Sequence, residues 1–308
     1  MTDRRTSFRQ AIRPLLEAAL HADNLRDWSG GVLTASGRRL DDRLKDDALR
    51  VLERYLLAHG GLLEHELDGD LLAAFGDEID RLCHDETVSL RTSYSAVGWL
   101  LEGWRFLADL TLPDDEPHIV LPACAAVATG IHAAAFQAVE QGARTLMHLA
   151  ASPLWPVRDA VPRGLCRMLD ENWPRTCYEL RRYAHIGGAL QHRAIALALV
   201  TARSLTKRAH ALDALDLLHT ILAAYRRLSR GQRLAESAQA LHEALVQAVG
   251  AAITAERCAG FAAAQTWLAW HDPGITAIVQ AAIAQPPLAA CEEAALLRRS
   301  SGNGMGTA

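Results

Sequence analysis

Apolar residues recur along this chain at spacings of three and four. Phe8, Ile12, Leu15, Leu16 and Leu20 form the first series, which sets them on one side of a helix with 3.6 residues per turn. SGGVLTASG at 29–37 interrupts the pattern, which resumes with Leu40, Leu44, Val51, Leu52 and Tyr55. A third series, Leu71, Leu72, Phe75, Ile79 and Leu82, follows LDGD. The stretch 89–110, SLRTSYSAVGWLLEGWRFLADL, is the most hydrophobic helix expected in the front half. TLPDDEPH at 111–118 then breaks the period with two prolines and three acids, and marks the expected boundary.

Beyond it the spacing predicts one helix over 119–133 and then pairs: 136–150 with 154–170, 174–185 with 189–203, 207–228 with 235–253, and 257–270 with 273–284. Runs of β-branched and aromatic residues between turn signals are scarce, so no strand is expected. The interval between pairs is about 35 to 50 residues, typical of helical solenoids of the HEAT type. The expected fold is therefore all-α: an α-solenoid of HEAT-like hairpins, an armadillo/HEAT-type superhelix, over 117–287. An acidic helical segment, 1–116, precedes it, and a flexible polar tail, 288–308, closes the chain.

One stretch carries more detail. Residues 151–169 read ASPLWPVRDAVPRGLCRML. The turn Ser152–Pro156 leads into a helix on which Val157, Ala160, Val161 and Leu165 make one apolar stripe, with Arg158, Arg163 and Arg167 off it. Pro156 costs no helical hydrogen bond, whereas Pro162 should kink the helix or remove a bond. The last pair repeats the theme as TWLAWHDPGITAIVQAAI, with Asp272-Pro273-Gly274 as the turn and Ile275 where Val157 stood.

These segments resemble a HEAT repeat. Over about 119–287 the order of Trp155-Pro-Val-Arg-Asp-Ala-Val, Arg193-Ala194 and Trp267 to Ile275 is similar to bacterial HEAT-repeat proteins of the DNA-alkylation-repair type. The enzymes at the edge of that group are alkylpurine DNA glycosylases of the AlkD class. The resemblance implies a tryptophan and an aspartate four apart beside the damaged base, the acid stabilising positive charge on the sugar as the glycosidic bond breaks. Trp155 and Asp159 match that spacing. The enzymes also carry a second aromatic in a later helix, and 241–254, LHEALVQAVGAAIT, has none. An acid after Val-Arg is common in non-catalytic HEAT repeats as well. The reading adopted is structural, with Trp155 filling the gap between hairpins and Asp159 making polar contacts at a repeat junction.

Composition changes this picture little, and charge changes it more. Half of the 308 residues are hydrophobic but only 6% are aromatic, which suits closely packed helices. Residues 1–135 hold 14 Lys/Arg against 23 Asp/Glu, and 136–234 hold 15 against 7. A basic middle beside an acidic front implies either a polyanion partner such as DNA or attraction between the two segments. The candidate anion contacts are Arg158, Arg175, Arg181, Arg182, Arg226, Arg227, Arg230 and Arg233. MTDRRTSFRQ has no apolar signal-peptide core behind it, and no apolar run comes near the roughly 20 residues a bilayer crossing needs, so no membrane association is expected. Six scattered cysteines without a C-x-x-C pair point to reduced, mostly buried thiols in a cytoplasmic protein.

Other patterns suggest chemistry more weakly. Asp41, Asp42 and Asp46 resemble the aspartate-rich metal motif of isoprenoid enzymes, yet Asp41–Lys45 and Asp46–Arg50 are i, i+4 pairs suited to a solvated helix face. HALDALDLLHT spaces His210, Asp213, Asp216 and His219 by three; these types can ligate zinc, but a polar stripe explains them equally. EHELDGD at 64–70 lacks the second histidine of H-E-x-x-H and reads as the acidic start of a helix. No P-loop, G-x-G-x-x-G or local catalytic triad is recognisable, so neither a metal nor a cofactor is expected. The functional expectation is a non-catalytic scaffold that holds a protein partner in its groove. The alternative is a DNA-binding, glycosylase-like protein using Trp155 and Asp159. An isoprenoid-type enzyme built on the Asp41 cluster is the third reading.

Overall fold

The computed structural model describes residues 3–21, 47–61, 67–85, 90–110, 113 and 116–302. Among these every regular element is helical, and none is a strand. The helices are α1 (Arg4–His21), α2 (Asp47–His59), α3 (Gly69–Cys83), α4 (Leu90–Arg105), α5 (Val120–Ala135), α6 (Val139–Leu149), α7 (Trp155–Glu171) and α8 (Trp173–Ile186). They continue with α9 (Ala189–Thr201), α10 (Arg208–Arg226), the single turn α11 (Arg230–Arg233), α12 (Glu236–Ala255), α13 (Arg257–Leu268), α14 (Pro273–Ile283) and α15 (Glu292–Gly302). The chain divides into two compact units, 1–164 and 165–308, and the division falls within α7.

In the first unit, α3 packs on α1 and α5, and α4 and α6 pack on α5 as well. Ile12, Leu16, Leu71, Phe75 and Ile79 are fully buried, so the first and third apolar series face the core. The second series holds only at Leu52: Val51 is exposed and Tyr55 half-buried, Leu56 takes the buried place one turn on, and Leu40 and Leu44 lie outside the described residues. α5 is buried nearly all round, and small residues let its neighbours approach. A Cβ on Gly130 would come within 2.0 Å of the Gly164 carbonyl oxygen, so α5 and α7 cross backbone to backbone where only glycine fits. One expectation is corrected here. The run Pro117–Ala135 is long and apolar enough to cross a bilayer, but most of it is buried inside the unit. A helix that is apolar on every side is what a core position surrounded by α3, α4 and α6 requires.

In the second unit α8 packs on α9, α10 on α12 and α13 on α14. α8 packs on α10 and α10 on α13, while α9 packs on α12 and α12 on α14. These contacts run in two series, one through α8, α10 and α13 and the other through α9, α12 and α14. Stretch 288–302, within the segment read as a tail, forms a 3-10 turn and α15, because Leu288, Ala294 and Leu297 find buried places. Pro162 sits inside α7, which runs on through it. The helix therefore forgoes one backbone bond rather than ending.

Candidate functional site

Trp155 opens α7 and is half-buried, and the Arg158 guanidinium lies 4.8 Å from the centre of its ring. Val157, Ala160 and Val161 are fully buried, as the stripe predicts. Asp159 is exposed one turn beyond Trp155, on the same side of the helix. Trp155 and Asp159 are thus brought to one face, with Arg158 stacked on the ring. The turn before them is closed by the buried Ser152 hydroxyl, which donates to the Ala108 carbonyl at 2.7 Å and accepts from the Leu154 N–H.

The polar stripe of α10 is taken up by neighbouring helices. His210 stacks flat on Trp173 of α8 at 4.4 Å and meets the Ser204 carbonyl through Nδ1 at 2.9 Å. Asp213 accepts from Trp173 Nε1 at 3.1 Å and from Arg181 at 2.6 Å, and Asp216 accepts from Arg181 at 3.3 Å. His219 Nδ1 accepts from Trp267 Nε1 of α13 at 3.2 Å, and Trp270 meets the same imidazole edge-on. The stripe thereby joins α10 to α8 and to α13. Among the described residues, no group of three His, Cys, Asp or Glu comes together as a metal site needs. The Asp41 cluster and Glu64–Glu66 lie outside the described residues. Asp68, at the end of EHELDGD, caps α3 by accepting from the Asp70 and Leu71 N–H groups.

The DPG turn carries a second latch. Asp272 caps α14 through the Ile275 N–H at 3.0 Å and takes both ends of the Arg233 guanidinium, at 2.9 and 2.8 Å. Arg233 also donates to the Arg226 carbonyl and lies over the Tyr225 ring. The hydrogen bonds from Arg233 hold the Asp272 carboxyl below the usual aspartate range, against a smaller opposing effect of burial. The pair is only part-exposed, so Asp272→Ala is expected to cost about 2 kcal/mol, combining a lost cap and a charge-assisted pair. Because the folded pKa is depressed, this contribution is complete above the unfolded aspartate pKa and is lost as pH falls through the folded one. A thermal melt at neutral pH that is the same for Asp272→Ala and the parent would refute the latch.

The eight candidate arginines therefore separate by environment. Arg181 and Arg233 are committed to acids, and Arg158 to the face of Trp155. Arg226 is exposed and lies 5.6 Å from the centre of the Trp270 ring. Arg175 and Arg182 on α8, Arg227 and Arg230 are exposed. Arg175, Tyr178 and Arg182 follow one another at three and four residues, a spacing that puts them on one side of α8, and Tyr178 is 70% exposed.

No family model matches the chain, and no curated protein or solved structure matches it either.

Sequence reading missed a buried carboxylate that gathers three arginines. Glu78 of α3 is fully buried and receives Arg9 and Arg13 from α1 and Arg81 from its own helix, each at 2.9–3.0 Å. Arg5 pairs with Asp77 at 2.6 Å, and Arg81 reaches Glu17. The signal was present: Arg5, Arg9 and Arg13 recur every four residues, a basic stripe with no acid between its members. Acids of the front segment thus have cationic partners inside their own unit. Cys83, Cys124 and Cys177 are buried, and desolvation pushes Cys83 up to about 12 and Cys177 up to about 11. Such thiols stay protonated near neutrality and are not nucleophiles.

Proposed function

We propose that this chain is a non-catalytic helical-repeat scaffold of the HEAT type that holds a protein partner on its repeat region. The observation that carries the reading is the fate of the α10 stripe. His210, Asp213, Asp216 and His219, the residues most suggestive of metal chemistry, bond to Trp173, Arg181 and Trp267 of the flanking helices. Polar groups spent on joining one hairpin to the next are what a stack of repeats needs, since each repeat is stabilised by its neighbours. The two series of helix contacts support the same reading. The Asp272–Arg233 latch at the DPG turn supports it too, because that turn is one of the segments resembling the alkylation-repair group.

A second reading, a DNA-binding protein of the alkylation-repair type, is favoured by one observation. Arg175, Arg182, Arg226, Arg227 and Arg230 are exposed within the basic region. Titrating the full chain with duplex DNA at rising salt separates the two. Five phosphate contacts would make log affinity fall against log salt with a slope of roughly −4.5. Arg226→Ala combined with Arg230→Ala would then reduce that slope by about 2. The scaffold reading expects a slope shallower than about −2 that the double substitution leaves alone.

A further inference from the structure

The first unit contains a cleft that no reading of the sequence singled out. α4, α5 and α6 enclose a space of about 370 Å³, within the range of small-molecule sites. Arg105, the last residue of α4, sits on its wall. Its Nη1 donates to Thr145 Oγ1 of α6 at 3.2 Å, and its Nη2 donates to Glu102, one turn back, at 2.5 Å. Thr145 is buried, whereas Glu102 is exposed. A hydroxyl that accepts from arginine keeps its own proton to give. Leu101, Ala133 and Ala138 provide an apolar side to the same cleft. His132 of α5 stands opposite Gly98, where an added Cβ would lie 3.6 Å from its Nε2. The missing side chain at Gly98 is therefore part of what keeps the space open.

The charges decide the ligand class. Arg105 and Glu102 stand side by side, so a simple anion that reached Arg105 would lie against the Glu102 carboxylate, and a simple cation that reached Glu102 would lie against the Arg105 guanidinium, each meeting a like charge. A zwitterion replaces both partners at once. Exposed i, i+3 pairs contribute little, so opening this one costs little. Adjacent positive and negative groups on the protein match an ammonium and a carboxylate carried on one carbon. We propose that this cleft binds a small α-amino acid with an apolar side chain. Arg105 and Thr145 take its carboxylate, Glu102 takes its ammonium, and its side chain lies against Leu101, Ala133 and Ala138.

The test is calorimetric titration of the full chain with L-alanine, L-valine and L-leucine, and with isovalerate and isobutylamine as the halves of valine. At least one of the amino acids binds, and neither half does at the same concentration. Arg105→Met and Glu102→Gln each weaken binding by about tenfold or more, one lost charge-assisted contact in each case. Gly98→Leu, which fills the cleft from a helix position that tolerates a Cβ, abolishes it. Helical circular dichroism and an unchanged melt establish that each variant is folded, and the three variants act on the site independently. The proposal is overturned if none of the three amino acids binds the wild-type chain. It is equally overturned if isovalerate binds as tightly as valine, or if all folded variants bind like the parent.

Discussion

Replacing Val157 by aspartate is expected to unfold the protein well below the melting temperature of the parent. Val157 is fully buried on α7, beside the equally buried Ala160 and Val161. A carboxylate there loses its hydration, and its neighbours on the stripe are hydrocarbon. Uncompensated buried charges cost about 3–5 kcal/mol, and the lost valine packing adds to that. A whole domain is typically stable by only about 5–15 kcal/mol. Val157→Ala is the control, since it removes packing without adding charge and should cost about 2 kcal/mol. Thermal melts followed by circular dichroism measure both. A Val157→Asp protein that melts with the parent would mean that the stripe does not face the core.

Glu78→Ala is the other substitution with a large expected effect. It leaves Arg9, Arg13 and Arg81 converging on a cavity that held their shared carboxylate. Breaking a buried pair costs about 3–5 kcal/mol. Arg9 and Arg13 are 39% and 47% exposed, so solvent screens their repulsion and the loss should be nearer about 2–3 kcal/mol. The effect has a pH signature. Burial pushes the Glu78 carboxyl up, but hydrogen bonds from Arg13, Arg81 and Arg9 outweigh it and leave the group below its ordinary range. A depressed folded pKa means that the stabilisation is complete above the unfolded value of about 4.3 and is lost as pH falls through the folded value. The gap in melting temperature between parent and Glu78→Ala should therefore be widest at neutral pH and narrow in acid. A gap that widens on acidification would reverse the assigned sign.

How far each of these features could be read from sequence follows from what periodicity encodes. Apolar spacing says which face of a helix is buried, so the extents expected for α6, α8, α9, α10, α12, α13 and α14 agree with the observed helices to within a few residues. It does not say which partner a polar face meets. Arg181 and Asp213 are 32 residues apart, Arg233 and Asp272 are 39 apart, and Arg9 and Glu78 are 69 apart. Nothing local marks these pairings. A stripe such as His210 to His219 is therefore equally compatible with metal and with tryptophan until the neighbouring helix is placed. The short α11 was legible in principle, because Ser229 and Gln232 form a reciprocal capping box, S-x-x-Q. The arginines around it drew attention to charge instead. The cleft beside Arg105 left no motif, since its residues come from three helices and its opening depends on Gly98 having no side chain.

The central claim is that the chain holds a partner without performing chemistry on it, and Trp155 and Asp159 are where that claim is most exposed. Their positions on α7, half-buried and exposed, leave both side chains reachable from solvent. The direct measurement is release of methylated purines from alkylated DNA by the wild-type chain and by Asp159→Asn. The account predicts no release by either protein above the rate without protein, and only a mild loss of stability in Asp159→Asn. Excision by the wild type that disappears in an equally stable Asp159→Asn protein would contradict it, because an amide cannot offset the positive charge that grows on the sugar.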